Sequence, residues 1–298
     1  MFNTPVLFLV FNREDTTQKV FDAIRQQKPK YLFVAADGAR KNKPGEMEKC
    51  QRVRDIIKQV DWDCELKTLF REENLGCKLA VSSAITWFFE NVEQGIILED
   101  DCLPDPSFFP YCEELLDKYK EDARVGHISG NNFLPGIIEE NLSYDFCTCP
   151  HIWGWATWRR VWKNYDVNLS FWEEQKERRS FLFHSKWEEI YFSSFISDAI
   201  NNRNGINTWD TQYWFTLSLQ NQLSIYPAVN LVTNIGLGDP NASHTAKKKK
   251  KHSIPVSNIR FPLKHPQYVL RNKKLDDTTI KNLFFSWKRL VRYFLNQY

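Results

Sequence analysis

The sequence predicts an α/β protein built on a mainly parallel sheet with helices on both faces. Short apolar runs alternate with amphipathic helical patterns through the first hundred residues, and each run ends in polar or charged residues. Alternation of this kind is typical of parallel βαβ units. Polar residues at the carboxyl ends of several strands are expected where those ends hold one ligand.

In the first half of the chain, predicted strands and helices alternate without exception. Helices are predicted after Asn12, after Gly45 and from Leu79, because apolar residues recur there every three or four positions. The predicted strands cover residues 6–11, 31–36, 65–70 and 96–98.

The second half is less regular and shows no internal repeat. Trp158 and Trp162, four residues apart in an aromatic block at 151–162, are predicted to share one buried helix face. A further helix is predicted to open at Trp209-Asp210. The other predicted elements are a helix at 108–119, a short strand at 125–129, a helical region at 171–200 and a strand within 223–229.

Composition and charge limit the partners and the cellular compartment that we expect for this chain. With 40 basic and 37 acidic residues the net charge is only +3, so we expect no nucleic-acid partner. Seven cysteines at irregular spacing argue against a disulfide framework and for a reducing compartment. No signal peptide and no apolar run of roughly 18 residues is recognisable, so we expect a cytoplasmic protein.

The acidic triplet Glu99-Asp100-Asp101 directly follows the fourth predicted strand. Three adjacent carboxylates repel one another, and a cation among them relieves that repulsion. Their oxygen atoms suit hard divalent ions such as Mg²⁺ and Mn²⁺. Taken alone, an acid triplet at a strand end is more often an acidic turn exposed to water.

The triplet and the residues after it resemble the metal-binding acid motif of GT-A nucleotide-sugar glycosyltransferases. Pro104, Asp105 and Phe108-Phe109 follow the acids in the order of that motif. The chain is similar in particular to the β-1,2-N-acetylglucosaminyltransferase family and its bacterial relatives in polysaccharide synthesis.

The resemblance extends over most of the chain and implies its domain organisation. It implies a GT-A (Rossmann-like) domain at 1–245, followed by a basic loop and a C-terminal amphipathic helix at 246–298. Within the domain, 1–103 would be the nucleotide-binding half and 104–245 the acceptor and catalytic half. The stem and membrane anchor of the eukaryotic members are not recognisable, which fits a bacterial enzyme.

The resemblance also implies roles for individual residues. Donor-binding positions are matched by Asn12, Arg13, Asp37, Asn74, Lys78, Glu99, Asp100, Trp153 and Trp155. The metal-binding positions are matched by Asp101 and His244, and the catalytic base by Asp210.

The chemistry of the metal role can be argued from the residues themselves. A divalent ion bridging the two phosphates of a nucleoside diphosphate makes it a better leaving group. Asp101 is the expected direct ligand, with Asp100 and Glu99 holding ribose, sugar hydroxyls or metal-bound water. An imidazole from His244 would shift the preference from Mg²⁺ to Mn²⁺, although an ordinary loop histidine explains His244 equally well.

Three further roles each have a simpler alternative. Asp37 is expected to accept a hydrogen bond from a uracil imide, or to cap a helix. Arg13 is expected to pair with the base or a phosphate, or to be a surface charge. Asp210 is expected to deprotonate the acceptor hydroxyl in an in-line displacement that inverts the anomeric carbon, or to cap the helix that follows.

The aromatic block and the C-terminal segment allow two interpretations each. Trp153, Trp155 and Trp158 offer flat faces to sugars, although we expect core packing for at least one of them. The segment 280–295 places apolar residues on one helical stripe with basic residues mostly beside it. Such a helix fits a membrane surface, and it fits equally a helix docked on the body of the protein.

The sequence therefore predicts a metal-dependent inverting glycosyltransferase that uses a nucleotide-sugar, expected to be a UDP-sugar. The acceptor would be a glycan or a lipid-linked sugar in cell-surface polysaccharide synthesis. A nucleotidyltransferase of similar fold would need a Gly-rich, basic phosphate loop after the first strand, and residues 12–15 are not one. A non-catalytic nucleotide- or carbohydrate-binding protein is the third candidate, against which the intact acids count.

Overall fold

The computed structural model of the chain describes residues 2–174, 182–183, 185–200, 207–238, 254–284 and 287–295. The strands are β1 (Val6–Val10), β2 (Tyr31–Ala36), β3 (Glu65–Phe70), β4 (Gln94–Glu99), β5 (Cys102–Pro104), β6 (Val125–Ser129), β7 (Tyr144–Cys147), β8 (Trp155–Trp158), β9 (Leu223–Pro227) and β10 (Val232–Asn234). The α-helices are α1 (Glu14–Gln27), α2 (Glu46–Ile57), α3 (Gly76–Asn91), α4 (Phe108–Lys118), α5 (Arg159–Trp162), α6 (Ser170–Glu174), α7 (Lys186–Ile200), α8 (Asp210–Leu219), α9 (Lys273–Thr279) and α10 (Trp287–Phe294).

One sheet of eight strands runs through the described residues in the order β3-β2-β1-β4-β8-β6-β9-β7. Strands β1 to β4 are parallel to their neighbours in this group, and β6 is parallel to β9. Strands β8 and β7 run antiparallel to the strands beside them. The predicted mainly parallel sheet with flanking helices is confirmed.

Strand β1 marks the point where the strand order reverses. The chain moves outward from β1 through β2 to β3, and then returns to place β4 on the other side of β1. A crevice opens beyond the carboxyl ends of the strands at such a switch point, and it is where open α/β sheets bind ligands. The residues after β1 and β4 therefore meet at the expected ligand edge.

The central strands are buried because helices cover both faces of the sheet. All five residues of β1 are buried, as are the apolar residues of β4. Helix α3 packs so closely on β4 that a Cβ atom at Gly95 would lie 2.3 Å from Cζ of Phe88. Glycine at this position is what allows α3 to approach the strand that carries the acids.

A second, two-stranded sheet fastens the end of β10 beside the acids. Strands β5 and β10 pair antiparallel, with Leu103 opposite Thr233. Beyond the last pair, the amide of Ile235 donates a hydrogen bond to the carbonyl of Asp101 at 2.8 Å. The chain therefore passes next to Asp101 directly after β10.

Several elements of the second half differ from prediction. The helical region predicted at 171–200 contains α6 and α7, and residues 175–181 and 184 lie outside the described structure. Trp158 ends strand β8 and Trp162 lies in α5, so the two do not share a helix face, although both are buried. Strands β7 and β8 had no sequence signal because each is short and its pairing partners are distant in the chain.

The structure also bears on cysteine chemistry and on membrane insertion. All seven cysteines are free thiols. Within the described ranges, no helix has both the length and the apolarity needed to cross a bilayer. The predicted domain boundary at 245 lies outside these ranges.

A buried histidine in β6 makes stability depend on pH. Burial lowers the pKa of His127 to about 3, and its Nε2 atom lies 3.0 Å from the carbonyl oxygen of His151. The folded protein holds His127 neutral, whereas the unfolded chain protonates it below about pH 6.5. The stability that the neutral His127 side chain contributes is therefore lost as the pH falls from about 6.5 towards 3.

We expect the free energy of unfolding of the wild type to fall by about 2 kcal/mol more than that of His127→Gln between pH 7 and pH 5. Urea denaturation of both proteins at the two pH values measures the difference. Comparing the change within each protein cancels any packing cost of the substitution. Equal losses in the two proteins would contradict the prediction.

Candidate functional site

The candidate site is a cleft beyond the carboxyl ends of β1, β2 and β4. Its volume is about 780 Å³, which is in the range that encloses a small ligand. The residues predicted for the site that line it are Arg13, Asp37, Asn74, Glu99, Asp100, Asp101, Trp153 and Asp210. The fold thus brings residues from both halves of the chain to the switch point of the sheet.

Four predicted residues, Asn12, Lys78, Trp155 and His244, are placed elsewhere or cannot be placed. The side-chain amide of Asn12 donates to Glu46 Oε1 at 2.9 Å, which ties the end of β1 to the start of α2. Lys78 lies in the first turn of α3, where its backbone amide donates to Asn207 Oδ1 at 3.1 Å. His244 lies outside the described residues.

Arg13 supplies a positive charge among the acids. Its Nη2 atom lies 2.8 Å from Asp100 Oδ1, and its Nη1 atom lies 3.0 Å from Asp101 Oδ2. The backbone amide of Phe11 adds a hydrogen bond to Asp100 Oδ2 at 3.3 Å. The side chains are 23% exposed for Arg13, 5% for Asp100 and 9% for Asp101, so little water screens these pairs. Arg13 therefore neutralises part of the charge that the sequence led us to assign to a metal ion.

The electrostatics of the cleft favour bound cations. Burial raises the pKa of Glu99, and the neighbouring carboxylates of Asp101 and Asp100 raise it further. Burial also raises the pKa of Asp100, and the guanidinium of Arg13 opposes that rise. Burial disfavours the charge of Arg13, but Asp100 and Asp101 outweigh burial and raise its pKa. One guanidinium thus balances only part of the carboxylate charge at this edge of the sheet.

Asp37 holds together the loop between β3 and α3. Its two oxygens accept hydrogen bonds of 2.9 to 3.2 Å from the backbone amides of Gly38, Leu75 and Gly76 and from the side-chain amide of Asn74. These donors take the lone-pair positions that a carboxylate offers. Base binding by Asp37 stays a prediction, and the structure gives this residue a clear anchoring contact.

Asp210 is the first residue of α8 and lines the cleft. Its Oδ1 atom accepts hydrogen bonds from the hydroxyl of Thr208 and, at 2.7 Å, from the backbone amide of Thr211. Both hydrogen bonds are accepted by Oδ1. Together they fix the orientation of the whole carboxylate group, including Oδ2. A carboxylate held in this way at a cleft wall can accept a proton from a bound hydroxyl group.

The two tryptophans predicted to contact sugar have different surroundings. Trp153 is half-buried and lines the cleft, with its ring centroid 4.9 Å from that of Phe133 in an edge-to-face contact. Trp155 is fully buried and packs between Trp209 at 5.5 Å and Tyr213 at 4.9 Å. Trp155 is therefore a core residue that supports the start of α8, and Trp153 is the one of the two that lines the cleft.

Sequence reasoning missed three residues that line the cleft. Arg71 follows β3 as Arg13 follows β1, and its Nη2 atom donates to the hydroxyl of Ser83 at 2.8 Å. Arg40 pairs with Glu46, and Cys77 lies in the first turn of α3. Burial raises the pKa of Cys77 to about 12, and Glu99 and Asp210 add to the rise. The position of Arg71 directly after a predicted strand was the signal that could have found it.

The described part of the chain does not by itself provide a metal centre. Among the described residues, no group of three or more His, Cys, Asp or Glu side chains could hold a metal ion. The carboxylates of Asp100 and Asp101 are the right donor type for Mn²⁺ or Mg²⁺. A Cβ atom at Gly236 would lie 2.7 Å from Asp101 Oδ2 and 2.5 Å from Arg13 Nη1, so this backbone abuts the acids.

Comparisons with known proteins leave the family open. No family model and no curated protein sequence matches this chain. Solved structures with a similar arrangement include HddC from Yersinia pseudotuberculosis, with a TM-score of 0.35 and 10% identity over 56% of this chain and 83% of that chain. The complex of HddC with GMP-PN has a TM-score of 0.34 and 9% identity over 54% of this chain and 80% of that chain. A 4-diphosphocytidyl-2C-methyl-D-erythritol synthase from Anaerococcus prevotii DSM 20548 has a TM-score of 0.34 and 10% identity over 54% of this chain and 75% of that chain.

The anchoring role of Asp37 can be tested by a substitution that keeps its size. In Asp37→Asn, an amide group replaces one oxygen and faces backbone donors, so we expect the free energy of unfolding to fall by about 2 to 3 kcal/mol. Asp63→Asn, at an exposed position, should change it by less than about 0.5 kcal/mol. Urea denaturation measures both, and similar values for the two variants would contradict the anchoring role.

Proposed function

We propose that this protein is a metal-dependent transferase that moves a sugar from a nucleotide-sugar to a hydroxyl acceptor with inversion. The observation that carries the proposal is the placement of Asp210 in the same cleft as Glu99, Asp100 and Asp101. Glycosyl transfer needs charge stabilisation at a diphosphate and a base at the acceptor hydroxyl. The cleft has groups suited to each task.

The diphosphate end of the donor would lie next to the acids and the arginines. Asp101, with Asp100, would hold Mn²⁺ or Mg²⁺, which supplies Lewis-acid assistance to the departing nucleotide when bound. Arg13 would then turn from the carboxylates to the phosphates, because a guanidinium pairs well with either group. His244 is proposed as a further metal ligand, because Gly236, eight residues earlier in the chain, abuts Asp101.

The acceptor would approach from the side of Trp153 and Asp210. The ring of Trp153, which lines the cleft, would suit the C–H face of a sugar, and a hydroxyl of that sugar would reach the carboxylate of Asp210. The hydroxyl proton passes to Asp210 as the oxygen attacks the anomeric carbon, and the nucleoside diphosphate leaves on the opposite face. A single displacement of this kind inverts the anomeric configuration.

Nucleotidyl transfer is the second candidate, and Arg13 is the observation that favours it. A basic residue in the loop after β1, lining the cleft, is what such enzymes need to hold a triphosphate, although residues 11–15 contain no glycine. The titles of the similar structures name a GMP-PN complex and a diphosphocytidyl synthase, which fit this candidate better than glycosyl transfer. Likeness at TM-scores near 0.35 decides nothing between the two.

Product analysis with Asp210→Asn tests the proposal and separates the two reactions. We expect the wild type, with a UDP-sugar and Mn²⁺, to release a nucleoside diphosphate, and Asp210→Asn to lose about 10²- to 10⁴-fold in kcat with the donor still bound. Asp15→Asn, in the first turn of α1, is the matched control and should keep full activity. Release of pyrophosphate from a nucleoside triphosphate, unaffected by Asp210→Asn, would assign the second candidate. No turnover of either kind would leave only a binding protein.

Metal binding should be visible in the stability of an Arg13 variant. Arg13→Gln leaves Asp100 and Asp101 without their guanidinium, so we expect the free energy of unfolding to fall by about 3 kcal/mol without metal. Mn²⁺ at saturating concentration should restore most of that loss, because it binds the folded state only. Arg52→Gln, which breaks an exposed pair with Glu14, should cost less than about 1 kcal/mol and show no such rescue. Failure of Mn²⁺ and Mg²⁺ to stabilise Arg13→Gln would count against the metal site.

A further inference from the structure

The C-terminal segment is fixed to the body of the protein. It contains a π-helical turn at Ile280–Phe284 and helix α10, which lies against α7. Ile280 is buried in an apolar cluster with Phe192 and Trp214. The ring of Phe284 stacks on that of Tyr191 with centroids 4.7 Å apart. The sequence allowed two interpretations of this segment. Docking on the body of the protein explains its inner side.

The outer side of the same segment presents large apolar side chains to solvent. Trp287, Val291, Phe294 and Leu295 are 70%, 54%, 71% and 61% exposed. The spacing of four and three residues places Trp287, Val291 and Phe294 on one face of α10, and Leu295 directly follows the helix. A continuous apolar stripe of this kind on a protein surface marks a contact with another apolar surface. We call these four residues the α10 stripe.

The charge of the segment indicates which surface that is. Between residues 281 and 295 the sequence has Lys281, Lys288, Arg289 and Arg292 and no acidic residue. A second copy of the chain would bring an identical positive segment to the contact, and the two would repel. Anionic lipid headgroups attract the same charges, and the apolar stripe with its two aromatic rings suits the boundary between headgroups and acyl chains.

We propose that the α10 stripe docks this protein on the surface of a bilayer that contains anionic lipids. The helix lies in the plane of the membrane, held by α7 on its inner side, with the stripe in the interface and the basic residues among the headgroups. This inference goes beyond the proposed reaction and does not depend on it. It would place the cleft near a surface where lipid-linked acceptors are found.

Vesicle co-sedimentation of the full chain tests the proposal. We expect binding to phosphatidylcholine vesicles that contain about 30% phosphatidylserine, weak binding to phosphatidylcholine alone, and a loss of binding at about 0.5 M salt. The triple variant Trp287→Ser, Val291→Ser and Phe294→Ser should bind anionic vesicles at least about tenfold more weakly. A matched control with Met47→Ser, Tyr268→Ser and Leu270→Ser, three exposed apolar residues elsewhere, should bind as the wild type does.

Two outcomes would overturn the proposal. The first is equal vesicle binding by the wild type and the stripe variant. The second is absence of vesicle binding together with a concentration-dependent dimer, seen by sedimentation velocity and lost in the stripe variant, which would assign the stripe to a second copy. Donor turnover in solution should be unchanged in the stripe variant, so failure of the membrane proposal and failure of the proposed reaction give different results.

Discussion

The guanidinium of Arg13 lies between Asp100 and Asp101 at the place where β1 and β4 end side by side. Without that charge, three consecutive carboxylates would meet at the edge of a buried sheet with little water to screen them. The pairing also joins the two strands that flank the switch point, across 87 positions of sequence. Much of the cleft depends on it, because the loop after β1, the turn after β4 and the backbone at Gly236 all pack around this group.

The arrangement of the first half could be predicted because its signals are local. Strand β2 occupies the predicted 31–36, since an apolar run bounded by polar residues identifies a buried strand without tertiary information. Strand β3 occupies the predicted 65–70, although most of its residues are exposed. The carboxyl edge of the sheet was predictable for the same reason. Parallel strands that each end in polar residues must bring those residues to one edge, and Glu99, Asp100, Asp101, Arg13 and Asp37 are found there.

What the sequence did not predict depends on contacts between distant residues. The carboxylate of Asp37 accepts from the amide of Leu75, 38 positions away, and no local pattern indicates that pairing. Trp155 looks like its neighbour Trp153 in sequence, yet its place in β8 between β4 and β6 removes it from the cleft. Strand β8 has only four residues, and both strands that pair with it lie earlier in the chain. Its sequence therefore shows little of the hydrophobic alternation by which a strand is recognised. The partners of Arg13 could be guessed only once β1 and β4 were known to be adjacent.

The thiol of Cys77 is surrounded by carboxylates in a cleft that small molecules can enter. Oxidants and alkylating agents attack the thiolate form of cysteine. With its pKa raised to about 12, only about one thiol in 10⁵ is ionised at neutral pH. Peroxide and electrophilic metabolites that reach the cleft would therefore meet an unreactive sulfur atom. Burial, reinforced by the acids at this edge of the sheet, therefore also protects Cys77 from covalent damage.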